Sequence, residues 1–326
     1  MSNCAVTVLM PVYNAESYLS MAIESVLSQS FHDFELIIVD DGSTDKSFAI
    51  SKKYSERHSR IRIFRKDNSG ISDTLNVGLS NARGGFIARF DADDIMYPNR
   101  LETQFKFLGS NPTLGFCGCF LELIDADGAA VGWSKPSPVT RAEFEKLISE
   151  RRPITFNHSS IMCRTTAMAE VGGYDRSMEP TEDTDLFNKI LALGYDALII
   201  PEYLLKYRLH STSIGAHKLK TQIENRNFIA YNFYARRFRT PTVSREEYTQ
   251  IMASRPLLQK VLYSTEKMYL VNRHMSLYDY ANRRYVRMTI HFVFSVLLRP
   301  NRALRRVLVL AARGLGYSLG ARNAGA

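Results

Sequence analysis

Phe90-Asp91-Ala92-Asp93-Asp94 sets three carboxylates within four residues, directly after the apolar run Phe86-Ile87-Ala88 and just ahead of Tyr97-Pro98. A strand that ends by crowding acids together is a poor core element, because each carboxylate repels its neighbours. A divalent cation and a phosphate-bearing ligand reverse that penalty, since hard cations take oxygen ligands. The chain holds its own control, because Asp125-Ala126-Asp127 repeats the tripeptide. There Gly128 follows and gives a hairpin-turn signature, so the second copy reads as structure. The first copy differs in its extra Asp94 and in its place after a buried strand.

Upstream, strands alternate with helices. Ala5–Met10 is β-rich and is expected to stop at Pro11, which cannot donate to a central ladder. Asn14 reads as the N-cap of a helix carrying Leu19, Ile23, Val26 and Leu27. Phe34–Val39 is a near-continuous apolar strand of the kind buried in parallel sheets. It runs into Asp40-Asp41-Gly42-Ser43, a turn before a helix near Thr44–Tyr54. Ile61–Phe64, Ile71–Asn81 and Phe86–Phe90 read as strand, helix and strand. This alternation predicts a doubly wound α/β sheet, in which ligands bind beyond the carboxyl ends of the strands. Pro11–Tyr13, Asp40-Asp41 and Asp91–Asp94 all fall at that end, so distant residues are expected to converge on one cleft.

Further on, Leu114–Ile124 reads as a strand, Asp125–Gly128 as a hairpin turn, Ser159–Cys163 as strand-like and Asp183–Leu193 as a helix. Ala197–Ile200 and Leu204–Leu209 read as two short extended pieces.

Three motifs together carry a resemblance. Met10-Pro11-Val12-Tyr13-Asn14, Val39-Asp40-Asp41-Gly42-Ser43-Thr44-Asp45 and Asp91-Ala92-Asp93-Asp94 resemble, in order and spacing, the family 2 glycosyltransferases of GT-A fold, over about residues 5 to 215. The resemblance implies a mixed, mainly parallel sheet flanked by helices, with a C-terminal helical annex. It implies a catalytic domain over 1–215, and the pattern after about Ser213, helical and basic, reads as a separate region over 216–326. Pro11, Tyr13, Asp40 and Asp41 would hold the nucleoside of a sugar nucleotide, most commonly a UDP-sugar. Asp91 and Asp93 would contact ribose and metal, and Asp93 or Asp94 would coordinate Mg²⁺ or Mn²⁺; the division among the three acids stays open. Thr181-Glu182-Asp183-Thr184-Asp185 is similar to the family's Glu-Asp motif at a helix start, which maps the base to Asp183 and places Glu182 beside it on the acceptor side. Acids favoured by a helix dipole explain the same residues. Tyr207-Arg208-Leu209-His210 resembles the family's late histidine, making His210 a metal or phosphate contact, and His158 matches a position near the acceptor cleft. Gly172-Gly173-Tyr174-Asp175 fits a turn before the base or, equally, a helix C-cap.

The resemblance therefore implies inverting transfer of one sugar to a saccharide or polyprenyl-linked hydroxyl in surface polysaccharide or glycolipid assembly. Processive relatives carry a Gln-x-x-Arg-Trp motif; here the sole tryptophan is Trp133, in Val131-Gly132-Trp133-Ser134. A sugar-nucleotide pyrophosphorylase would need a Gly-rich basic loop after the first strand, which Pro11-Val12-Tyr13-Asn14 does not supply. A catalytically silent scaffold that binds partners through its basic region is the alternative from another class.

Charge divides the chain sharply. Residues 1–200 hold 20 Lys+Arg against 27 Asp+Glu, whereas residues 201–326 hold 22 against 6. Within the basic part, Met288–Leu298 is the longest apolar run, with 11 residues against the ~20 needed to span a bilayer. Arg283, Arg284 and Arg287 precede it, Arg299, Arg302, Arg305 and Arg306 follow, and Val307–Ala312 adds a second apolar patch. This pattern suits a helix lying at an anionic membrane surface, or an annex packing its apolar faces on the catalytic domain. Nucleic acid is disfavoured, because no aromatic-basic recognition motif occurs. The start Met1-Ser2-Asn3-Cys4 lacks the basic opening of a signal peptide. Four cysteines without metal-ligand spacing suggest packed thiols and a reducing, cytoplasmic setting.

Overall fold

Val6–Val12 (β1) and Phe34–Asp40 (β2) are buried at every position, as their mostly apolar character demands of strands covered on both faces. A computed structural model gives the architecture; it describes residues 4–151, 154–209, 219–256, 268–271, 275 and 285–298. The remaining elements of the first half are α1 (Leu19–Leu27), α2 (Ser47–Ser55), β3 (Ile61–Arg65), α3 (Ile71–Asn81), β4 (Phe86–Arg89), β5 (Ile95–Met96), α4 (Arg100–Gly109), β6 (Leu114–Ile124) and β7 (Ala130–Ser134). Then come α5 (Arg141–Ser149), β8 (Met162–Arg164), α6 (Thr165–Glu170), α7 (Glu182–Ala192), β9 (Asp196–Arg208), α8 (Leu219–Arg237), α9 (Arg245–Ser254) and α10 (Tyr285–Leu298).

Among the described residues the strands form one mixed sheet in the order β3-β2-β1-β4-β8-β6-β9-β5, with β7 paired to β6. β1 to β4 are mutually parallel, β8 runs antiparallel to β4 and β6, and β6 pairs with β9 in parallel. The carboxyl ends of β1, β2 and β4 therefore share one rim, which positions the acidic turns together. The chain forms two compact units, one of residues 1–209 with 221–244 and another of 210–220 with 245–326.

Four local expectations are corrected. β1 continues through Pro11, which lies opposite Val39 in the β2 register. The Val12 carbonyl accepts from Asp41 N on the β2 side, so Pro11 turns its missing N–H to the β4 side. There the ladder has already ended at Leu9–Arg89, and no bond is lost. Asn14 does not cap α1, which starts five residues later after Tyr18. It adopts a left-handed φ of 49° and its Oδ1 accepts from Thr44 N at 2.9 Å, joining the loops after β1 and β2. His158–Ser160 is a 3-10 turn, and β8 begins only at Met162. Finally, the two extended pieces near the end of the sheet are one strand of 13 residues, β9, which absorbs Pro201 at an irregular register beside Cys119 and Phe120. All four cysteines are free thiols, and Cys117, Cys119 and Cys163 are buried.

Candidate active site

The acidic turn follows β4 and is closed by Asp94 N donating to the Asp91 carbonyl at 3.4 Å. One carboxylate oxygen from each of Asp91, Asp93 and Asp94 lies within 4.8 Å of the others. Like charges at that separation repel by roughly 3–4 kcal/mol per pair at an effective dielectric constant of about 20. Asp94 is 1% exposed. Its Oδ1 accepts from Arg208 N at 2.8 Å, whereas Oδ2 is buried with no hydrogen-bond partner. Burial, then the charges of Asp93 and Asp91, hold the Asp94 carboxyl well above the usual carboxylate range. An all-oxygen donor set with mutual repulsion and one unpartnered buried oxygen fits a hard divalent cation.

Arg89, the last residue of β4, was not legible as a site residue in the sequence. It is buried and ion-paired with Asp91. Burial opposes its charge, but Asp91 outweighs that and holds the guanidinium ionised. Its positive charge acts on Asp91, His158, Tyr174, Glu182 and Asp183, so these groups from four separate elements share one electrostatic environment. The available signal was a charge between Ala88 and Phe90 in a strand otherwise built for burial.

Asp183 stands in the first turn of α7, where its Oδ1 accepts from Thr184 N at 2.6 Å and Thr184 Oγ1 at 3.2 Å. Burial raises its carboxyl, against the opposing charges of Arg226 and Arg89. Arg226 lies on α8, beyond the stretch where sequence motifs had located the site. Glu182 is buried beside it, with Oε2 unpartnered, and is pushed up to about 8 by burial and then by Asp183. A helix N-terminus favours anions, yet here a buried Glu182 stands directly beside a half-buried Asp183. That is a costly arrangement for structure alone.

His158 and Tyr174 complete this wall, with His158 Nε2 and the Tyr174 hydroxyl 2.9 Å apart. Burial, reinforced by Arg89, keeps the imidazole well below its ordinary value and hence neutral. The adjacent Ser159 Oγ accepts from Asp91 N at 3.1 Å, so the same turn props the acidic loop. Gly172 and Gly173 both have positive φ and close α6 through N–H bonds to Ala169 and Met168, which makes them a helix C-cap. The cap also aims Tyr174, because Asn76 Oδ1 accepts from Tyr174 N at 2.9 Å and Asn76 Nδ2 donates back to its carbonyl at 2.8 Å.

At the neighbouring rim, Pro11 is buried in β1 and Tyr13 stands 54% exposed. Asp40 Oδ2 accepts from Ser43 N and pairs with Arg65, while its buried Oδ1 has no partner. Asp41 is wholly engaged by the loop after β3: Oδ1 takes Lys66 Nζ and Ser69 N, and Oδ2 takes Gly70 N at 3.1 Å. Its carboxylate thus shapes the loop 66–70. Just beyond that loop, Ser72 N donates to Glu179 at 2.9 Å, and the Glu179 charge acts on Glu182 of α7. The structure therefore gathers Asp91, Asp93 and Asp94 in one cluster, sets Asp91, His158, Glu182 and Asp183 in the field of Arg89, and places Pro11, Tyr13, Asp40 and Asp41 at the carboxyl ends of the adjoining strands β1 and β2. His210 lies outside the described residues.

Residues 7–169 match the family model described as Glycosyl transferase family 2. A protein of Bacillus subtilis (strain 168) bearing the name glycosyltransferase EpsE is 35% identical over 228 residues, covering 68% of this chain and 78% of that one. MJ1057 of Methanocaldococcus jannaschii, an uncharacterised glycosyltransferase, is 32% identical over 220 residues, covering 67% and 75%. The chain spans 64% of RT0329 of Rickettsia typhi, also an uncharacterised glycosyltransferase, at 31% identity. Among solved structures, S. aureus TarS 1–349 in complex with UDP-GlcNAc superposes with a TM-score of 0.55 at 16% identity, covering 97% and 93% of the two chains. The mannosyltransferase PcManGT from Pyrobaculum calidifontis, in complex with GDP-Man and Mn²⁺, gives 0.55 at 17% identity, covering 91% and 87%. These structures share the fold of this chain.

Proposed function

The chain belongs to the family 2 glycosyltransferases and has their GT-A fold, and on that premise we propose that it moves one sugar from a nucleotide-diphosphate sugar to an acceptor hydroxyl with inversion at the anomeric carbon. The observation that carries this reading is the shared environment of the acidic turn and Asp183 around Arg89. A donor diphosphate over Asp93 and Asp94 and an acceptor hydroxyl at Asp183 would then face each other across one sugar.

Asp93 and Asp94 would hold the divalent cation, with Asp91 kept beside them by Arg89. When bound, such a cation stabilises the negative charge that grows on a departing diphosphate. Asp183 takes the proton of the attacking hydroxyl at its carboxylate. Its raised proton affinity makes it a stronger base than an exposed aspartate, and general-base help of this kind is worth about 10²–10⁴ in rate. Thr184 N–H and the helix N-terminus hold that carboxylate in one orientation. Neutral His158, fixed by Tyr174, offers a hydrogen bond to a sugar hydroxyl without adding charge. Pro11, Tyr13, Asp40 and the loop ordered by Asp41 form the nucleoside side. A single displacement with one base inverts configuration, and transfer is one sugar per encounter to a saccharide or lipid-linked acceptor.

UDP- and GDP-sugars head the donor panel, because the solved relatives carry UDP-GlcNAc and GDP-Man. The test is Mn²⁺-dependent release of nucleoside diphosphate from that panel by wild type and Asp183→Asn. We expect the variant to retain donor-induced thermal stabilisation while transfer falls by about 10²-fold or more. Unchanged turnover in Asp183→Asn removes it as the base, and no nucleotide binding by wild type defeats the proposal.

A further inference from the structure

Helix α10 is inside out. A helix turns about 100° per residue, so Val286, Ile290, Val293 and Leu297 form one narrow stripe. That stripe is exposed, from 76% at Val286 to 71% at Leu297, with Ile290 and Val293 near half. The opposite face carries Met288, His291 and Ser295, of which Ser295 is 4% exposed and the other two are half-buried. The more polar side is packed and the all-apolar side faces out, lining a shallow groove with Thr289 and Phe294. Exposed contiguous apolar surface of this kind marks a contact with something else.

Charge selects the occupant. Arg283 and Arg284 precede the stripe in sequence, Arg287 follows its first residue, and residues 299–326 contain six arginines and no acidic residue. That terminal stretch supplies no anion to neutralise the guanidinium groups, and a second copy of the basic region, with 22 Lys+Arg against 6 Asp+Glu over 201–326, adds far more cations than anions. An anionic bilayer surface supplies both parts, acyl chains for the stripe and headgroups for the arginines. The 14 residues of α10 make about 21 Å of helix, too short to cross. No described helix is long and apolar enough to span a membrane.

We infer that α10 is a membrane-surface anchor, lying in the interface of anionic lipid with Val286, Ile290, Val293 and Leu297 inserted. The inference rests on α10 and the arginines flanking it in sequence, and stands apart from the reaction proposed above.

The full chain is floated with phosphatidylcholine vesicles with and without phosphatidylglycerol. Wild type is expected to float with the anionic vesicles and to be weakened by added salt. The double variant Val293→Glu/Leu297→Glu should lower partitioning at least about tenfold, and Leu297→Trp should raise it, since tryptophan favours the interface. Unchanged thermal melting confirms that both variants fold, as expected for exposed positions. Equal flotation of the double variant and wild type overturns the inference, as does wild type left entirely in the lipid-free fraction. Wild type that ignores vesicles but self-associates, and becomes monomeric in the double variant, makes the stripe an interface between copies and also overturns it.

Discussion

The backbone N–H of Arg208 donates to the Asp94 carboxylate at 2.8 Å across 114 positions of sequence. This bond ties the end of β9 to the acidic turn, and it cannot be removed by changing a side chain. It satisfies one oxygen of Asp94 and leaves the other buried and unpartnered. Asp94 is therefore an acid whose position is specified before any cation arrives.

Asp94→Asn removes a buried like charge, so the metal-free protein should become more stable. Each kcal/mol gained raises Tm by about 2–4 °C in a domain of this size. The same variant should lose most of the Tm increase that Mn²⁺ and a nucleotide produce in wild type. Thermal melts with chelator and with Mn²⁺ check both halves; a destabilised metal-free variant contradicts the account.

The Arg208 side chain is 2% exposed and donates Nε to the Asp93 carbonyl at 2.8 Å and Nη1 to the Asp125 and Ala126 carbonyls at 3.0 and 2.9 Å. It clamps the acidic turn to the β6–β7 hairpin. Arg208→Met fills much of the volume but strips three carbonyls of their donor. A loss of about 2–4 kcal/mol is expected in urea unfolding. Weaker Mn²⁺ dependence of nucleotide binding should accompany it.

Arg89→Met leaves the half-buried Asp91 without its cation. Breaking a fully buried pair costs about 3–5 kcal/mol when one charge stays behind, and the 30% exposure of the Asp91 side chain places this pair at or below the lower end. The double variant Arg89→Met/Asp91→Asn should recover a large share of that stability without recovering transfer. Urea denaturation of the four-member cycle reads the coupling directly.

Glu182 gives a pH signature. Its folded value of about 8 exceeds the ~4.3 of an unfolded glutamate, so between those limits the folded state binds more protons. Stability therefore falls as pH rises from about 4.5 to 8 and levels off above. Glu182→Gln should remove this slope, melting closer to wild type at the acidic end and several degrees above it at the alkaline end (~2–4 °C per kcal/mol). Melts in chelator across that range measure it; parallel curves would show that Glu182 ionises normally.

What could be read along the chain is what neighbours in sequence encode. The strands Phe34–Asp40, Ile61–Arg65 and Leu114–Ile124, the helix Ile71–Asn81 and the hairpin at Asp125–Gly128 follow from apolar periodicity and turn chemistry. So did the gathering of acids at one rim, because parallel strands place their carboxyl ends together. The tertiary structure alone decided which partners those residues meet. Register across the sheet set Pro11 beyond the last β4 bond, turned Asn14 from a helix cap into a loop tie and bent Asp41 toward Lys66. It buried Arg89 among acids, brought Arg226 near Asp183 and faced the apolar stripe of α10 outward. Periodicity says that a face exists; only the packing of distant segments says what the face meets, because burial and Coulomb energy depend on separations in space.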